Sequence, residues 1–115
     1  MSVREIIFHE HYFMEFYTSM SEKVQLKIDY VLKLVSTVEV VPAKFLKHIS
    51  GTDGLYELRI KQGSNIYRIF CFFDQGNLVV LLQGIKKKTQ RTPKIAIEKA
   101  LRLKLEYNGK MKNEK

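Results

Sequence analysis

Residues 51–88 have the sequence GTDGLYELRIKQGSNIYRIFCFFDQGNLVVLLQGIKKK, and the fold is organised around this stretch. It contains three runs, 55–62, 65–74 and 77–85, that are rich in the aliphatic and aromatic residues that β-strands favour. Gly63-Ser64 and Gln75-Gly76 lie between the runs, and glycine adopts the positive φ that two-residue hairpin turns need. The stretch therefore predicts three antiparallel strands joined by two tight turns.

The two predicted turns determine which residues face each other across the strands. They place Arg59 opposite Arg68 in the first hairpin and Cys71 opposite Val80 in the second. One face then carries ten mostly apolar residues and is the predicted core face: Tyr56, Leu58, Ile60, Tyr67, Ile69, Cys71, Phe73, Leu78, Val80 and Leu82. The other face carries a cross-strand row of Arg59, Arg68 and Gln83.

The two facing arginines are the first candidate for a functional site. Like charges directly opposite each other destabilise a sheet, so the row indicates that an anion belongs between them. A guanidinium group matches phosphate with parallel N–H donors. Alternatively, one arginine pairs with Glu57 or another acid and both lie on a solvated face. A slip of one residue in either hairpin would also break the row.

The rest of the chain predicts helices around this sheet. Residues 3–8 are prone to form a first strand, and residues 9–20 have the apolar spacing of a helix. Ser21 is a suitable N-cap for a second helix, and Pro42 lies in the connector that follows it. Thr92 as N-cap and Pro93 as first helical residue open a last helix that Asn108-Gly109 ends.

These elements predict an α+β fold with the order β-α-α-β-β-β-α. We expect an antiparallel sheet with the helix pair packed on one face and a separate C-terminal helix. Residues 1–109 would form a single domain, and residues 110–115 would be a frayed basic tail.

The composition limits the possible settings of the protein. A chain of 115 residues with 45% hydrophobic content is long enough for one domain with its own core. It contains no apolar run near the roughly 20 residues of a membrane span. Arg4, Glu5, His9 and Glu10 interrupt any N-terminal signal segment. The single cysteine, Cys71, is predicted to be a buried and inert thiol, which fits a reducing cytoplasm.

The net charge of +8 is concentrated at one end of the chain. Residues 1–85 contain nine basic and nine acidic side chains, whereas residues 86–115 contain eleven basic and three acidic ones. A concentrated basic segment is typical of nucleic-acid binders. An acidic protein partner would explain it equally, and a solvated basic helix without any ligand is the simplest alternative.

Three segments, GTDGLYELRI, NIYRIFCFF and LVVLLQGIKKKTQRTPKIAIEKA, resemble the HigB-like, phage-derived branch of the RelE/ParE toxin superfamily. The resemblance extends over residues 3–107. It implies the toxin of a type II toxin–antitoxin system, which cleaves mRNA on the ribosome without a metal or other cofactor. It also implies a small helix-turn-helix (HigA-like) antitoxin as partner, through which alone the toxin would reach operator DNA. By motif, Arg59 and Arg68 match the family's sheet arginines, and residues 86–88 match its basic run.

The chain departs from the family pattern in two places. Ile85 follows Gly84 where the family usually has phenylalanine, which removes an aromatic ring that could stack on a base. Related ribonucleases often carry a late tyrosine or histidine as acid or base. Here Tyr107 is the only late tyrosine and is predicted to pack in the helix, and no histidine follows His48. The general acid and base are therefore open.

Metal-free RNA cleavage needs a base for the 2′-hydroxyl proton, cations for the phosphate and an acid for the leaving oxygen. We expect Arg59 and Arg68 to bind the scissile phosphate. The candidate base is Lys47 or His48, because burial or neighbouring cations lower the pKa of such groups. His48 is otherwise an ordinary solvated residue. The predicted RNA-binding residues are Lys44, Lys86, Lys87, Lys88 and Arg91. No His, Cys, Asp or Glu residues have metal-ligand spacing, so no metal site is predicted.

Two other classes of function fit the same residues. A gyrase-inhibiting toxin on the same fold would not need the arginine row to touch RNA. A non-catalytic nucleic-acid-binding domain would use only the basic segment. An RNA-cleavage assay on translating ribosomes separates the nuclease from both, and a DNA supercoiling assay identifies the gyrase inhibitor.

Overall fold

The computed structural model describes residues 2–87 and 91–113, and these form an α+β fold with a five-stranded mixed sheet and three helices. The strands are β1 Glu5–Phe8, β2 Leu46–His48, β3 Leu55–Gln62, β4 Asn65–Asp74 and β5 Leu78–Lys87. The helices are α1 Tyr12–Thr18, α2 Glu22–Thr37 and α3 Lys94–Asn113.

The strand order in the sheet is β1-β5-β4-β3-β2. Strand β1 runs parallel to β5, so the prediction of a purely antiparallel sheet is wrong. The predicted connector also contains the short edge strand β2, which pairs antiparallel with β3. Neither feature was accessible from periodicity, because alternation carries no strand direction and three residues are too few to show a period.

The register of the first hairpin is confirmed, but that of the second is wrong. Gln62 pairs with Asn65, and Arg59 pairs with Arg68 as expected. In the second hairpin Asp74 pairs with Leu78, so the loop has three residues, 75–77, rather than two. Gln75 at φ +53° and Gly76 at φ +83° allow the chain to reverse there.

The added loop residue exchanges the two faces of β5, because side chains alternate along a strand. Val79 and Leu81 therefore pack toward α1 and α2, whereas Val80 and Leu82 pack toward α3. A bulge then follows in β5. Ile69 pairs with Gly84 and Cys71 pairs with Leu81, so β5 has two residues where β4 has one.

Beyond that bulge, Arg68 lies opposite Ile85. The predicted row of Arg59, Arg68 and Gln83 is therefore wrong in its third member. Gln83 instead donates from Nε2 to the carbonyl oxygen of Ala96 at 3.0 Å.

The sheet has apolar cores on both sides, where one core face was predicted. The helix-pair face packs against α1 and α2 with Leu58, Ile60, Tyr67, Ile69, Cys71, Val79 and Leu81. The α3 face packs against α3 with Leu55, Phe70, Phe72, Val80 and Leu82. Both sides of the central strands are therefore buried over most of their length, and polar groups on them are shielded from water.

The ends of α1 and α2 follow local backbone chemistry. Glu10 has φ +53°, which separates β1 from α1 and makes the first helix shorter than the predicted range 9–20. Ser21 caps α2 as predicted, since its Oγ accepts from the backbone N–H of Val24 at 3.4 Å.

Helix α3 differs from the prediction at both ends. It begins at Lys94, and the backbone N–H groups of Ala96 and Ile97 donate to the carbonyl oxygen of Pro93. It continues through Gly109 to Asn113, so the prediction that Asn108-Gly109 ends it is wrong. A glycine inside a helix costs only about 1 kcal/mol relative to alanine.

Candidate functional site

A polar cluster occupies the α3 face of the sheet beyond the apolar core. It consists of Glu57, Arg59, Arg68, Lys87 and Thr92, and we call it the Arg68 cluster. Alternation along β3 places Glu57 and Arg59 on one face, and cross-strand pairing with Arg59 brings Arg68 beside them. Lys87 pairs with Ile66, two residues before Arg68 on the same face of β4.

Arg68 is buried, with only 2% of its surface exposed, and it pairs with the buried carboxylate of Glu57. Arg68 Nε lies 2.9 Å from Glu57 Oε2. Burial lowers the pKa of the Arg68 guanidinium; Glu57 opposes this effect and Arg59 adds to it. Of the two arrangements that the sequence allowed, an arginine–Glu57 pair is present, but in a buried environment rather than on a solvated face.

Lys87 completes the cluster from the end of β5 and is 3% exposed. Its Nζ donates to Thr92 Oγ1 at 3.1 Å, and the Thr92 hydroxyl donates to Glu57 Oε1 at 3.2 Å. Burial, followed by the charge of Arg68, lowers the pKa of Lys87 to about 8, although Glu57 acts in the opposite direction. A significant fraction of this amine is therefore neutral near physiological pH and able to accept a proton.

Arg59 is half-buried beside Arg68 and faces a cleft. Its Nε is shielded from solvent and has no hydrogen-bond partner among the described residues. A buried donor of this kind is costly unless a ligand or water completes its bonding. Arg59 is therefore the arginine of the pair that is available to an anion.

The cleft next to Arg59 lies at the edge of β3 beyond the part that β2 covers. Strand β2 pairs only with residues 56–58 of β3. Beyond this paired part, the carbonyl oxygen of Phe45, the residue before β2, accepts a hydrogen bond from the backbone N–H of Arg59. This β3-edge cleft has a volume of about 750 Å³. Its lining residues come from α2, the connector, β3, β4 and the turn between these two strands: Lys27, Tyr30, Val31, Lys44, Phe45, Arg59, Ile60, Lys61, Gly63, Ile66 and Arg68.

The two candidate bases from the sequence lie on opposite faces of the sheet. Lys47 pairs with Glu57 and shares the α3 face, where its charge contributes to the low pKa of Lys87. His48 pairs with Tyr56 on the helix-pair face. Its Nε2 lies 3.0 Å from the carbonyl oxygen of Thr52. The structure therefore does not bring His48 to the arginines.

The predicted RNA-binding residues are also divided. Lys44 lines the β3-edge cleft, and its Nζ lies 4.9 Å from the centre of the Phe45 ring. Lys87 belongs to the Arg68 cluster, whereas the exposed Lys86 pairs with Tyr67 on the helix-pair face. Arg91 is exposed one residue before Thr92. Lys88 lies outside the described residues.

Sequence reasoning gave no functional role to Glu57 or Thr92. A signal for Glu57 was present, since it precedes Arg59 by two residues and must share its face. Thr92 carried the pattern of a helix cap, and its hydroxyl instead joins Lys87 to Glu57. Only the path of the chain after β5 brings it there.

Other candidate chemistries find little support in the described residues. Cys71 is buried, and desolvation raises the pKa of its thiol to about 12, so it is a poor nucleophile as predicted. Across residues 2–87 and 91–113, no three His, Cys, Asp or Glu side chains gather in a way that could hold a metal ion. None of the helices described is both long and apolar enough to cross a membrane.

The fold and the cluster define a small α+β protein with a buried, cation-rich site suited to an anionic ligand such as phosphate. Residues 15–104 match the family described as Phage derived protein Gp49-like (DUF891). Because the match spans more than half of the chain, the protein belongs to this family, which is a RelE-like toxin family. The matched region includes every residue of the Arg68 cluster. No curated protein was found to be similar to the chain.

Proposed function

We propose that this protein is the toxin of a type II toxin–antitoxin system, of the HigB-like branch, and that it cleaves mRNA on the ribosome without a metal ion. Membership of a RelE-like toxin family supports the class. The observation that carries the nuclease assignment is the buried Lys87, whose pKa near 8 suits a general base beside two arginines.

The proposed reaction begins with attack of a 2′-hydroxyl on the adjacent phosphorus. Neutral Lys87 takes the hydroxyl proton as the O2′–P bond forms. The bond from phosphorus to the 5′-oxygen breaks, and this oxygen takes a proton from solvent water, which leaves a 2′,3′-cyclic phosphate and a 5′-hydroxyl end. Arg59, assisted by Arg68, stabilises the charge that develops on the phosphate oxygens. Lys87 thereby replaces Lys47 and His48 as the candidate base.

Glu57 and Thr92 serve as positioning residues in this proposal. Glu57 compensates the buried charge of Arg68, and Thr92 joins the carboxylate to the Lys87 amine. Lys47, on the same face, and Lys44, in the cleft, are suited to hold the RNA backbone. Arg91, which is exposed one residue before Thr92, extends the basic surface on which a negatively charged chain would lie.

The proposed setting is the cytoplasm, where mRNA and ribosomes are found. The proposed protein partner is a helix-turn-helix antitoxin that covers the Arg68 cluster and blocks RNA access. Contact with operator DNA would occur only through that antitoxin.

The nuclease assignment is tested by Lys87→Met in an RNA-cleavage assay on translating ribosomes. Methionine fills a similar volume without an amine, so we expect a normal fold and a loss of cleavage rate of about 10²–10⁴-fold.

For the parent protein, the cleavage rate should rise about tenfold per pH unit below pH 8 and level off above it, because only the neutral amine is a base.

The matched control is Lys86→Met, which removes the neighbouring exposed lysine and should leave the pH profile unchanged. Cleavage at the parent rate by Lys87→Met would exclude Lys87 as the base. Absence of cleavage by the parent protein, together with inhibition of DNA supercoiling by gyrase, would refute the nuclease assignment.

A further inference from the structure

The β3-edge cleft combines positive charge with aromatic rings. It is lined by five cationic side chains: Lys27, Lys44, Arg59, Lys61 and Arg68. Two aromatic residues, Tyr30 and Phe45, also line it, and no carboxylate is found among its described lining residues. Glu57 compensates the charge of Arg68, but the other four cations have no carboxylate among the described lining residues, so this composition favours a negatively charged ligand.

Tyr30 presents an aromatic ring at this charged surface. Its side chain projects from α2 and is 57% exposed. The Phe45 ring contacts it edge-on, with centroids 6.2 Å apart and planes at 70°. Lys44 Nζ lies near the Phe45 ring, 4.9 Å from its centre. Phe45 is thus a supporting contact, and Tyr30 is the ring whose surface is available to a ligand.

The cleft is continuous with the Arg68 cluster, because Arg59 and Arg68 belong to both. Because Arg59 and Tyr30 line the same cleft, a phosphate on Arg59 and a base on Tyr30 would occupy one continuous surface. Cationic grooves with exposed aromatic rings bind single-stranded nucleic acids, since the cations hold the backbone and each ring stacks on a base. An acidic peptide would satisfy the cations but would not require an exposed ring.

We propose that the β3-edge cleft binds a nucleotide of single-stranded RNA next to the cleaved bond, with its base stacked on Tyr30. Its phosphate contacts Lys44 and Arg59, and Lys27 and Lys61 extend the cationic path. This subsite rests on the proposed ribonuclease function. It also supplies an aromatic ring that the sequence lacks at Ile85.

The test is the binding of a short fluorescein-labelled DNA oligonucleotide, measured by fluorescence anisotropy. DNA lacks the 2′-hydroxyl nucleophile, so binding is measured without cleavage. Tyr30→Leu should weaken binding about 5- to 150-fold, the range expected for one base–aromatic contact. Tyr30→Phe should bind like the parent protein, because it keeps the ring. When the oligonucleotide lacks the base at the contacted position, the parent protein and Tyr30→Leu should bind it equally.

Leu26→Ala is the matched control, since Leu26 lies on the same helix, is 62% exposed and does not line the cleft. It should bind like the parent, and thermal melts should show all variants folded. Parent-like binding by Tyr30→Leu would overturn the proposal. So would a result in which polyglutamate binds in a Tyr30-dependent manner and the oligonucleotide does not.

The two proposals fail in distinguishable ways. A protein that binds the oligonucleotide through Tyr30 but never cleaves RNA on ribosomes would refute the nuclease assignment and leave the cleft as a site for single-stranded nucleic acid. A protein that cleaves in a Lys87-dependent manner but binds independently of Tyr30 would refute only the cleft.

Discussion

Arg68 illustrates how a charged residue can be a structural as well as a functional component. From the sequence it was expected on the face of the sheet opposite the core. In the structure it is among the largest fully buried side chains and is paired with Glu57. Removing one partner of a buried ion pair leaves the other charge without compensation, which is far more costly than losing an exposed pair.

We therefore predict that Arg68→Ala destabilises the protein by about 3–5 kcal/mol, measured by urea denaturation. Arg59→Ala should change the free energy of unfolding by less than about 1 kcal/mol, because Arg59 is half-buried and makes no ion pair with a carboxylate among the described residues. Arg59→Ala should nevertheless abolish cleavage. Loss of activity in Arg68→Ala alone is thus no proof of a catalytic role.

The double variant Arg68→Met/Glu57→Met separates pairing from packing. It should be more stable than Arg68→Ala, since neither charge is then left buried without its partner. If Arg68→Ala unfolds at the same urea concentration as the parent, the pair does not contribute to stability and this account of Arg68 is wrong.

Strand β5 depends on one close contact with α1. A Cβ atom on Gly84 would lie 2.4 Å from Cδ2 of the Phe16 ring, far inside van der Waals contact. Gly84 faces α1 because the bulge in β5 brings it opposite Ile69, whose side chain packs on the helix-pair face. The close approach of helix and sheet at this point therefore requires a residue without a side chain.

Gly84→Ala should destabilise the protein by about 1–3 kcal/mol, because the Phe16 ring must move within a packed core. Gly109→Ala is the contrasting control. It has open space around the added methyl group and lies within α3, so it should stabilise by about 0.5–1 kcal/mol.

A double-mutant cycle with Phe16→Ala tests the contact directly. The double variant should lose less free energy of unfolding than the two single variants lose in sum, since the smaller side chain at position 16 leaves room for the methyl group. Additive free energies of unfolding would show that Gly84 is required for another reason.

At the scale of the whole molecule, charge is distributed unevenly. The entire net charge of +8 is carried by residues 86–115, and α3 displays several of these cations on its exposed side. The charge of this segment extends the cationic surface beyond the Arg68 cluster. A negatively charged partner is attracted over distances longer than any single contact.

We predict that association with the proposed antitoxin is steered by this charge. The association rate constant, measured by stopped-flow fluorescence, should fall about tenfold or more between about 50 mM and 500 mM salt. Lys94→Gln/Arg102→Gln on α3 should slow association at low salt. The matched pair Lys23→Gln/Lys33→Gln on α2 should have a smaller effect. A rate independent of salt would rule out electrostatic steering.

The sequence alone determined the features that depend on neighbouring residues. The first hairpin, with Arg59 opposite Arg68, follows from alternation and a Gly-Ser turn, and Ser21 caps α2 through a contact only three residues away. The α+β class and the positions of the strands in 51–88 follow from the same local periodicity. Family resemblance added the toxin class, which the family match supports.

Only the tertiary structure decided which faces and distant residues meet. The three-residue loop at 75–77 and the bulge in β5 together moved Gln83 out of the arginine row, since each added residue reverses the alternation. The cluster of Glu57, Lys87 and Thr92 joins residues up to 35 positions apart. The low pKa of Lys87 arises from that assembly, because burial and neighbouring charge belong to the folded environment and not to the lysine itself.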